Sequence, residues 1–314
     1  MILSAGEALF DMIQQPGTKA IDPVIGGSTL NVALGLARLG RPTGYLTKLS
    51  TDYLGEQLAE FLVKETISMD YVVRAPGTQT TLAFAFLQPG GHADYCFYLA
   101  NSADCSLSKA ELPAELPATV TAVHFGSFSL AVEPVGTTLA DYLLALSPTR
   151  FISLDPNIRV SLIPDRASWL ARFARLLPAA DFVKASIEDV EWITGAKADA
   201  GETARAWSLA GPRIAVITDG GAGATVAVNG ESRFAPAHRV DVVDTVGAGD
   251  TFQAAYLARL DELGLLSKAA VRTVDLDRAE EIARFAVAAA AITCTRRGAD
   301  LPSRSEVDAF LSRQ

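Results

Sequence analysis

The run Asp244-Thr-Val-Gly-Ala-Gly-Asp250-Thr-Phe-Gln-Ala-Ala-Tyr-Leu257 puts a turn of small residues directly ahead of a helical pattern. The start of such a helix presents backbone N–H groups that have no partner within it. With no bulky side chain at Gly247, Ala248 or Gly249, an anionic group can approach those donors closely, helped by the positive end of the helix dipole. Asp250, at the end of the turn, would stand beside that anion and could accept a proton from an attacking hydroxyl. An anion cradle beside a base is the least that phosphoryl transfer requires. The plainer reading is that Asp250 decorates the first turn of a helix whose glycines let it pack closely.

A second glycine-rich turn, Gly26-Gly27-Ser28-Thr29-Leu30-Asn31-Val32-Ala33, also runs into a helical pattern, which ends at Arg38-Leu39-Gly40. Ser28 is expected to be the N-cap and Gly40 the residue just past the C-terminus. Glycines let a polyol lie against backbone, and Asn31 offers hydroxyls a donor and acceptors. A Gly-Gly helix start also has a purely structural reading. Neither turn is a G-x-x-x-x-G-K-[ST] phosphate loop or a G-x-G-x-x-G dinucleotide fingerprint.

The elements that must hold these turns follow an alternating rhythm. Apolar runs read as strands at Tyr45 to Leu49, Ala122 to Phe125, Phe151 to Leu154, Phe182 to Val183 and Ile214 to Ile217. Amphipathic helical patterns lie between them, such as Glu56 to Thr66, where Leu58, Phe61 and Leu62 make one apolar face. Alternation of this kind predicts a doubly wound α/β sheet. The segments Thr80 to Leu87 and Ala93 to Leu99 break it: two strand-like runs follow one another through Gln88-Pro-Gly-Gly-His92, a hairpin outside the main sheet. It reads either as an edge hairpin or as a small lid that shields a site from water.

The chain has 314 residues, of which 49% are hydrophobic, enough for one large α/β domain to fold without staples. Its three cysteines form no C-x-x-C pair and its three histidines show no zinc-ligand spacing. A net charge of −9 argues against nucleic-acid binding, which needs a basic stripe. No apolar run approaches the roughly 20 residues that span a bilayer; Phe285 to Cys294 reads as a buried helix. Glu7 and Asp11 stand where a signal peptide would be apolar, so a cytoplasmic protein with no membrane partner is expected.

Together the two turns resemble the two signatures of the ribokinase-like, or PfkB, carbohydrate kinases. Further segments fall in that family's order, among them Lys48-Leu-Ser-Thr-Asp52-Tyr-Leu-Gly55, Asp155-Pro-Asn-Ile-Arg159, Thr218-Asp-Gly-Gly-Ala-Gly223 and Thr295-Arg-Arg-Gly-Ala299, so the resemblance covers essentially the whole chain. It implies a three-layer α/β/α ribokinase-like fold, a single kinase domain over residues 1–314 with an inserted β-sheet lid built from about 11–25 and 78–100. It implies ATP across the C-terminal half and a small-molecule sugar between lid and sheet. By position, Asp11, Gly26, Gly27 and Asn31 would bind the sugar. Gly247, Ala248 and Gly249 would form the anion hole and Asp250 would be the base. Lys184, Thr218, Gly220 and Gly223 would meet the nucleotide. Thr218 to Gly223 reads equally as a hairpin turn between Ile214-Ala-Val-Ile217 and Ala224-Thr-Val-Ala-Val228.

The chain departs from the family at Ser186-Ile-Glu188-Asp189, where many relatives carry Asn-x-x-Glu. The cofactor expectation is ATP with Mg2+, the metal positioned through water by Asp189; Ser186 reads alternatively as a cap of a helix that Gly195 ends. Ser50 stands where relatives usually have Gly. Asp244, the backbone at Val246 and the Thr295 to Gly298 run resemble a monovalent-cation loop, suited to K+, or else form an ordinary surface loop. In some relatives a second subunit completes the lid, so a homodimer through the lid is the partner expectation. The opening Gly6-Glu7-Ala8-Leu9-Phe10-Asp11 and the Asp155 to Arg159 run look most like bacterial fructokinases, which points to fructose phosphorylated at its 6-hydroxyl. The alternatives are 2-keto-3-deoxygluconate, whose carboxylate Arg159 could meet, or ribose. From a different class, the chain could be a catalytically silent sugar-binding regulator.

Overall fold

The computed structural model describes residues 1–14, 18–87 and 93–313. In chain order the strands are β1 (Ile2–Ala5), β2 (Leu9–Gln14), β3 (Ile21–Gly26), β4 (Thr43–Ser50), β5 (Val72–Ala75), β6 (Thr81–Leu87), β7 (Ala93–Tyr98), β8 (Ala122–Gly126), β9 (Phe151–Asp155), β10 (Phe182–Ser186), β11 (Ile214–Asp219), β12 (Gly223–Val228) and β13 (Glu231–Pro236). The helices are α1 (Ser28–Arg38), α2 (Tyr53–Lys64), α3 (Val135–Leu146), α4 (Arg166–Leu176), α5 (Ile187–Thr194), α6 (Ala200–Leu209), α7 (Ala248–Glu262), α8 (Lys268–Val271), α9 (Leu276–Cys294) and α10 (Arg304–Leu311).

Nine strands form the main sheet among the described residues, in the order β13-β12-β11-β10-β9-β8-β1-β4-β5. From β5 to β11 neighbours run parallel; β12 and β13 close the far edge antiparallel. Each parallel pair needs a helical crossover that covers a face of the sheet, which is why the strands at its centre read as short apolar runs. Strand β1 lies between β4 and β8, so the chain leaves it in opposite directions and opens a crevice at the strand ends. The expected doubly wound α/β fold is the one observed.

Helix α7 packs between α1 and α9 and is buried on nearly every face from Asp250 to Leu260, which its apolar sequence requires. A Cβ added to Gly35 of α1 would lie 2.6 Å from the Cβ of Ala254 on α7. The two helices therefore touch backbone against side chain, and their first turns meet at the crevice. The expected helix at 56–66 starts three residues earlier, because the Asp52 carboxylate accepts from the Gly55 N–H at 2.7 Å and caps α2 from its first turn. Leu58 and Leu62 are buried on it as expected, whereas Phe61 is only partly covered.

A second sheet has the order β3-β2-β6-β7. The two successive strand-like segments, β6 and β7, pair antiparallel; β2 runs parallel to β6 and antiparallel to β3. The connections at 15–17 and 88–92, the latter including the expected turn Gln88 to His92, lie outside the described residues. No helix among the described residues is long and apolar enough to cross a membrane.

Candidate active site

A cavity of about 640 Å³ opens over the carboxyl ends of β1, β8, β9, β10 and β11 and the N-terminus of α7. Gly247 takes a left-handed φ of 78° as the N-cap of α7, and a Cβ there would lie 2.7 Å from the Ala299 Cβ, so only glycine makes this turn without strain. The Ala248 N–H returns to the Thr245 carbonyl, while the Gly249 and Asp250 amides are given to no backbone acceptor among the described residues. Two donors at the positive end of a 15-residue helix thus face the cavity beside the Asp250 carboxylate.

Asp250 is 8% exposed and both of its oxygens are held. Oδ1 accepts from the Ser28 hydroxyl at 2.7 Å and Oδ2 from the Asn31 side-chain amide at 2.8 Å. Both donors come from the first turn of α1. Ser28 is not the N-cap expected from sequence: Gly27 takes that position at φ 115°, which releases the Ser28 side chain toward Asp250. A ring of contacts continues from there. Asn157 Nδ2 donates to Ser28 Oγ at 2.6 Å, the Asn157 N–H donates to Asp155 Oδ1 at 3.2 Å, and Asp155 pairs with Lys184 Nζ at 2.6 Å. Lys184 Nζ lies 3.5 Å from the Gly249 carbonyl and closes the ring at α7.

Asp155 and Lys184 are nearly fully buried. Burial raises the Asp155 carboxyl to about 6 although the Lys184 cation opposes it. Burial alone would lower the Lys184 ammonium, but its pairing with Asp155 overrides that and leaves it raised. Both directions leave an ion pair at neutral pH, with the cation beside the α7 amides. Asp11, on β2, is raised to about 6 by burial, against the pull of Arg159 and with a smaller push from Asp250. A carboxylate on the cavity wall is an acceptor poised for hydroxyls. Glu7, in the turn after β1, is raised to about 7 by burial, against smaller opposing pulls from backbone and from the nearby Ser129 and Ser127 hydroxyls.

The lining spans the sheet order: Asp11, Gly27 and Asn31 belong to the segments around β1, with Arg159 and Asp250 also on the wall, whereas Thr218, Gly220 and Gly223 belong to the β11–β12 hairpin and Lys184 to the neighbouring β10. Val246, Ala248 and Gly249 line it too, and its apolar lining includes Val240, Val242, Val287 and Ala291. Thr218 to Gly223 is the turn of the β11–β12 hairpin, and Thr218, Gly220 and Gly223 line the cavity. Two expected residues are off the wall. Gly26 lies behind Asp11, where a side chain would strike its carboxylate. Asp244 instead accepts from the Val246 N–H at 3.1 Å and the Gly298 N–H at 2.8 Å, tying the loop ahead of α7 to the loop after α9. Asp189 lines the cavity, and each of its oxygens accepts a backbone N–H, from Ile158 at 2.8 Å and Ser186 at 3.0 Å; Ser186 is the N-cap of α5 and Gly195 its left-handed end.

Sequence reasoning assigned no site role to Glu7, Ser28, Ser127, Asp155 or Asn157. Ser127 and Asn157 follow adjacent strands at φ 58° and 34°, left-handed conformations that few non-glycine residues adopt. Asparagine is enriched in that region, but serine carries no such mark.

The model of the pfkB family carbohydrate kinases matches residues 5–306. A fructokinase of Rhizobium leguminosarum bv. trifolii is 40% identical over 278 residues, 88% of this chain and 84% of that protein. Fructokinase-1 of Oryza sativa is 33% identical over 320 residues, 98% and 96% of the two chains. Among solved structures, fructokinase with bound ATP from Xylella fastidiosa superposes with a TM-score of 0.90 at 27% identity, covering 100% of this chain and 98% of that one. Fructokinase from Vibrio cholerae O395, in a fructose, ADP and calcium-ion bound form, gives 0.86 at 25% identity, covering 99% and 98%. The chain belongs to the pfkB family of carbohydrate kinases and is a sugar kinase.

Proposed function

We propose that this kinase transfers the γ-phosphoryl of ATP to the 6-hydroxyl of fructose. The observation that carries the reading is the placement of Asp250 at the meeting point of α1 and α7, beside amide donors aimed into the cavity. Fructose lies where Asp11, the Gly27 backbone and Asn31 receive its hydroxyls and Arg159 closes the rim. ATP lies toward the β11–β12 hairpin, its base against the apolar lining and its phosphates toward Lys184, Thr218, Gly220 and Gly223. Asp250 takes the proton of the 6-hydroxyl as that oxygen attacks the γ-phosphorus and the bond to the departing ADP breaks, and the amides at Gly249 and Asp250, with the Lys184 cation, receive the charge spread over the transferring group; the Ala248 amide, held by the Thr245 carbonyl, leaves the expected cradle. The second sheet acts as the lid that keeps water from this transfer. It leaves Ile21, Phe86 and Tyr98 exposed, the surface on which a second copy of the chain would pair.

No cluster of three or more acidic, histidine or cysteine side chains exists among the described residues to cage a metal. That suits Mg2+, which reaches such sites on the nucleotide phosphates and keeps most of its waters. Asp189, with lone pairs left beyond its two backbone donors, and the exposed Glu188 of the same wall would hold those waters, and the metal would neutralise charge on the phosphates. A monovalent cation such as K+ would sit between the Val246 and Thr295 to Gly298 loops that Asp244 ties together.

The test is ATP consumption with a panel of fructose, 2-keto-3-deoxygluconate, ribose and adenosine at saturating concentration, with Mg2+ and K+ present. Turnover on fructose alone is expected. Turnover on another member would discard fructose and keep the mechanism, and silence on all of them would favour a sugar-binding regulator.

A further inference from the structure

Glu7 faces the cavity, is 1% exposed, and has no part in the proposed transfer. Its neighbours show what it holds. Helix α1 starts without a side-chain cap, because its N-cap is Gly27 and its first turn contains no acidic residue. The N–H of Ser28, the first residue of α1, donates instead to Glu7 Oε1 at 3.1 Å, from 21 residues away in sequence. The main chain of Glu7 grips the same turn, since its carbonyl accepts from the Thr29 hydroxyl at 3.1 Å and from the Tyr45 hydroxyl. A Cβ on Gly27 would come within 2.6 Å of that carbonyl, so the two segments are in backbone contact.

Helix N-termini favour a carboxylate, which is a stronger acceptor than a neutral group. Glu7 Oε2 nevertheless makes no hydrogen bond of good geometry among the described residues, and the nearby Ser129 and Ser127 hydroxyls offset the burial of the carboxyl only in part. A buried carboxyl with one unmatched oxygen is a poor choice where only space needs filling, because an apolar residue of similar length would avoid the desolvation. The turn that Glu7 caps presents the Ser28 hydroxyl and the Asn31 amide to the two oxygens of Asp250.

We infer that Glu7 is a positioning residue: its side chain caps α1 from outside the helix and so fixes Ser28 and Asn31 against Asp250. The consequence for turnover rests on the kinase reading above, but the cap itself does not. Glu7→Met fills the space without an acceptor; Glu7→Gln keeps an acceptor for the Ser28 N–H. With the sugar that the wild-type enzyme turns over, Glu7→Met is expected to lower kcat by about tenfold or more, as small misplacements of reacting groups do, with the ATP KM within about twofold. Glu7→Gln should retain kcat within about threefold. In a Ser28→Ala background, Glu7→Met should cost distinctly less than in the wild type, because part of its effect runs through that hydroxyl.

Amide exchange without substrate supplies a readout independent of turnover: the Ser28 N–H should exchange about tenfold faster or more in Glu7→Met than in Glu7→Gln. Unchanged kcat in Glu7→Met, equal losses in Met and Gln, or additive losses with Ser28→Ala would each overturn the inference. Should the wild type phosphorylate no sugar, the functional reading fails and the exchange arm still decides the cap: equal exchange in the two variants would dismiss it.

Discussion

Asp250 and Ser28 are separated by 222 positions in the chain and joined by a hydrogen bond of 2.7 Å, with Asn31 holding the other carboxylate oxygen at 2.8 Å. The proposed base is therefore aimed by the helix that carries part of the proposed sugar site. Its orientation depends on how α1 and α7 pack, down to the contact of Gly35 with Ala254.

Asp250→Ala should lower kcat by about 10²-fold or more, the low end of general-base contributions, and leave the affinity for ATP within a few-fold. Single-turnover transfer and ATP titration check the two halves. A loss confined to ATP affinity would assign Asp250 to nucleotide binding instead.

Gly247 and Gly249 should respond differently to alanine. At Gly247 the left-handed φ and the nearby Ala299 make Gly247→Ala destabilising by about 1–3 kcal/mol along with any loss of activity. At Gly249 the added Cβ would meet only the flexible end of Lys184, at 3.2 Å, so Gly249→Ala should stay within about 1 kcal/mol of wild-type stability and still lose turnover, because it fills the anion cradle. Denaturant melts alongside kcat separate these outcomes.

Removing one partner of the Lys184–Asp155 pair should be worse than removing both. Lys184→Met leaves a buried carboxylate uncompensated and should cost about 3–5 kcal/mol, whereas Lys184→Met with Asp155→Leu should recover much of it while activity stays lost. Equal stabilities for the single and double variants would show that the pair is not coupled.

The free enzyme should lose stability as pH rises from about 5 to about 7.5. Glu7, Asp11 and Asp155 have folded values of about 7, 6 and 6, above their ordinary 4.5, 3.8 and 3.8. The folded state therefore holds more protons than the unfolded chain in that window, so the contribution is complete below about pH 4 and gone above about pH 7. His124, lowered by burial to about 3 from its ordinary 6.5, works in the opposite direction up to about pH 6.5 but is one group against three, and carboxyls lowered by partners, such as Glu306 at about 2, titrate below the window. Asp11→Asn should be more stable than wild type at pH 7.5 by about 1 kcal/mol, yet show a sugar KM raised far more than the ATP KM. Urea midpoints across pH and paired KM values check both.

The sheet and the α7 turn were legible because apolar periodicity and a glycine-rich helix start act locally in the sequence. Asp250, Gly247 and Gly249 could be named from spacing alone. The ring through Ser28, Asn157, Asp155 and Lys184 could not, because it joins four separate strand and helix ends that only the sheet order brings together. Ser28 was misread as an N-cap because serine usually fills that position, and the Gly27 conformation that displaces it depends on the tertiary contact with Glu7. Glu7 itself looks like any acidic residue near a strand end; its role depends on burial, which sequence does not display.

The most direct measurement of the central claim is transfer of labelled γ-phosphate from ATP to fructose, with the product position identified by NMR, for the wild-type enzyme and for Asp250→Asn. Label at the 6-position with the wild type, and at least about 10²-fold slower transfer with Asp250→Asn at unchanged ATP affinity, is the predicted result. Comparable transfer by the two enzymes would contradict the assignment of Asp250 as the base.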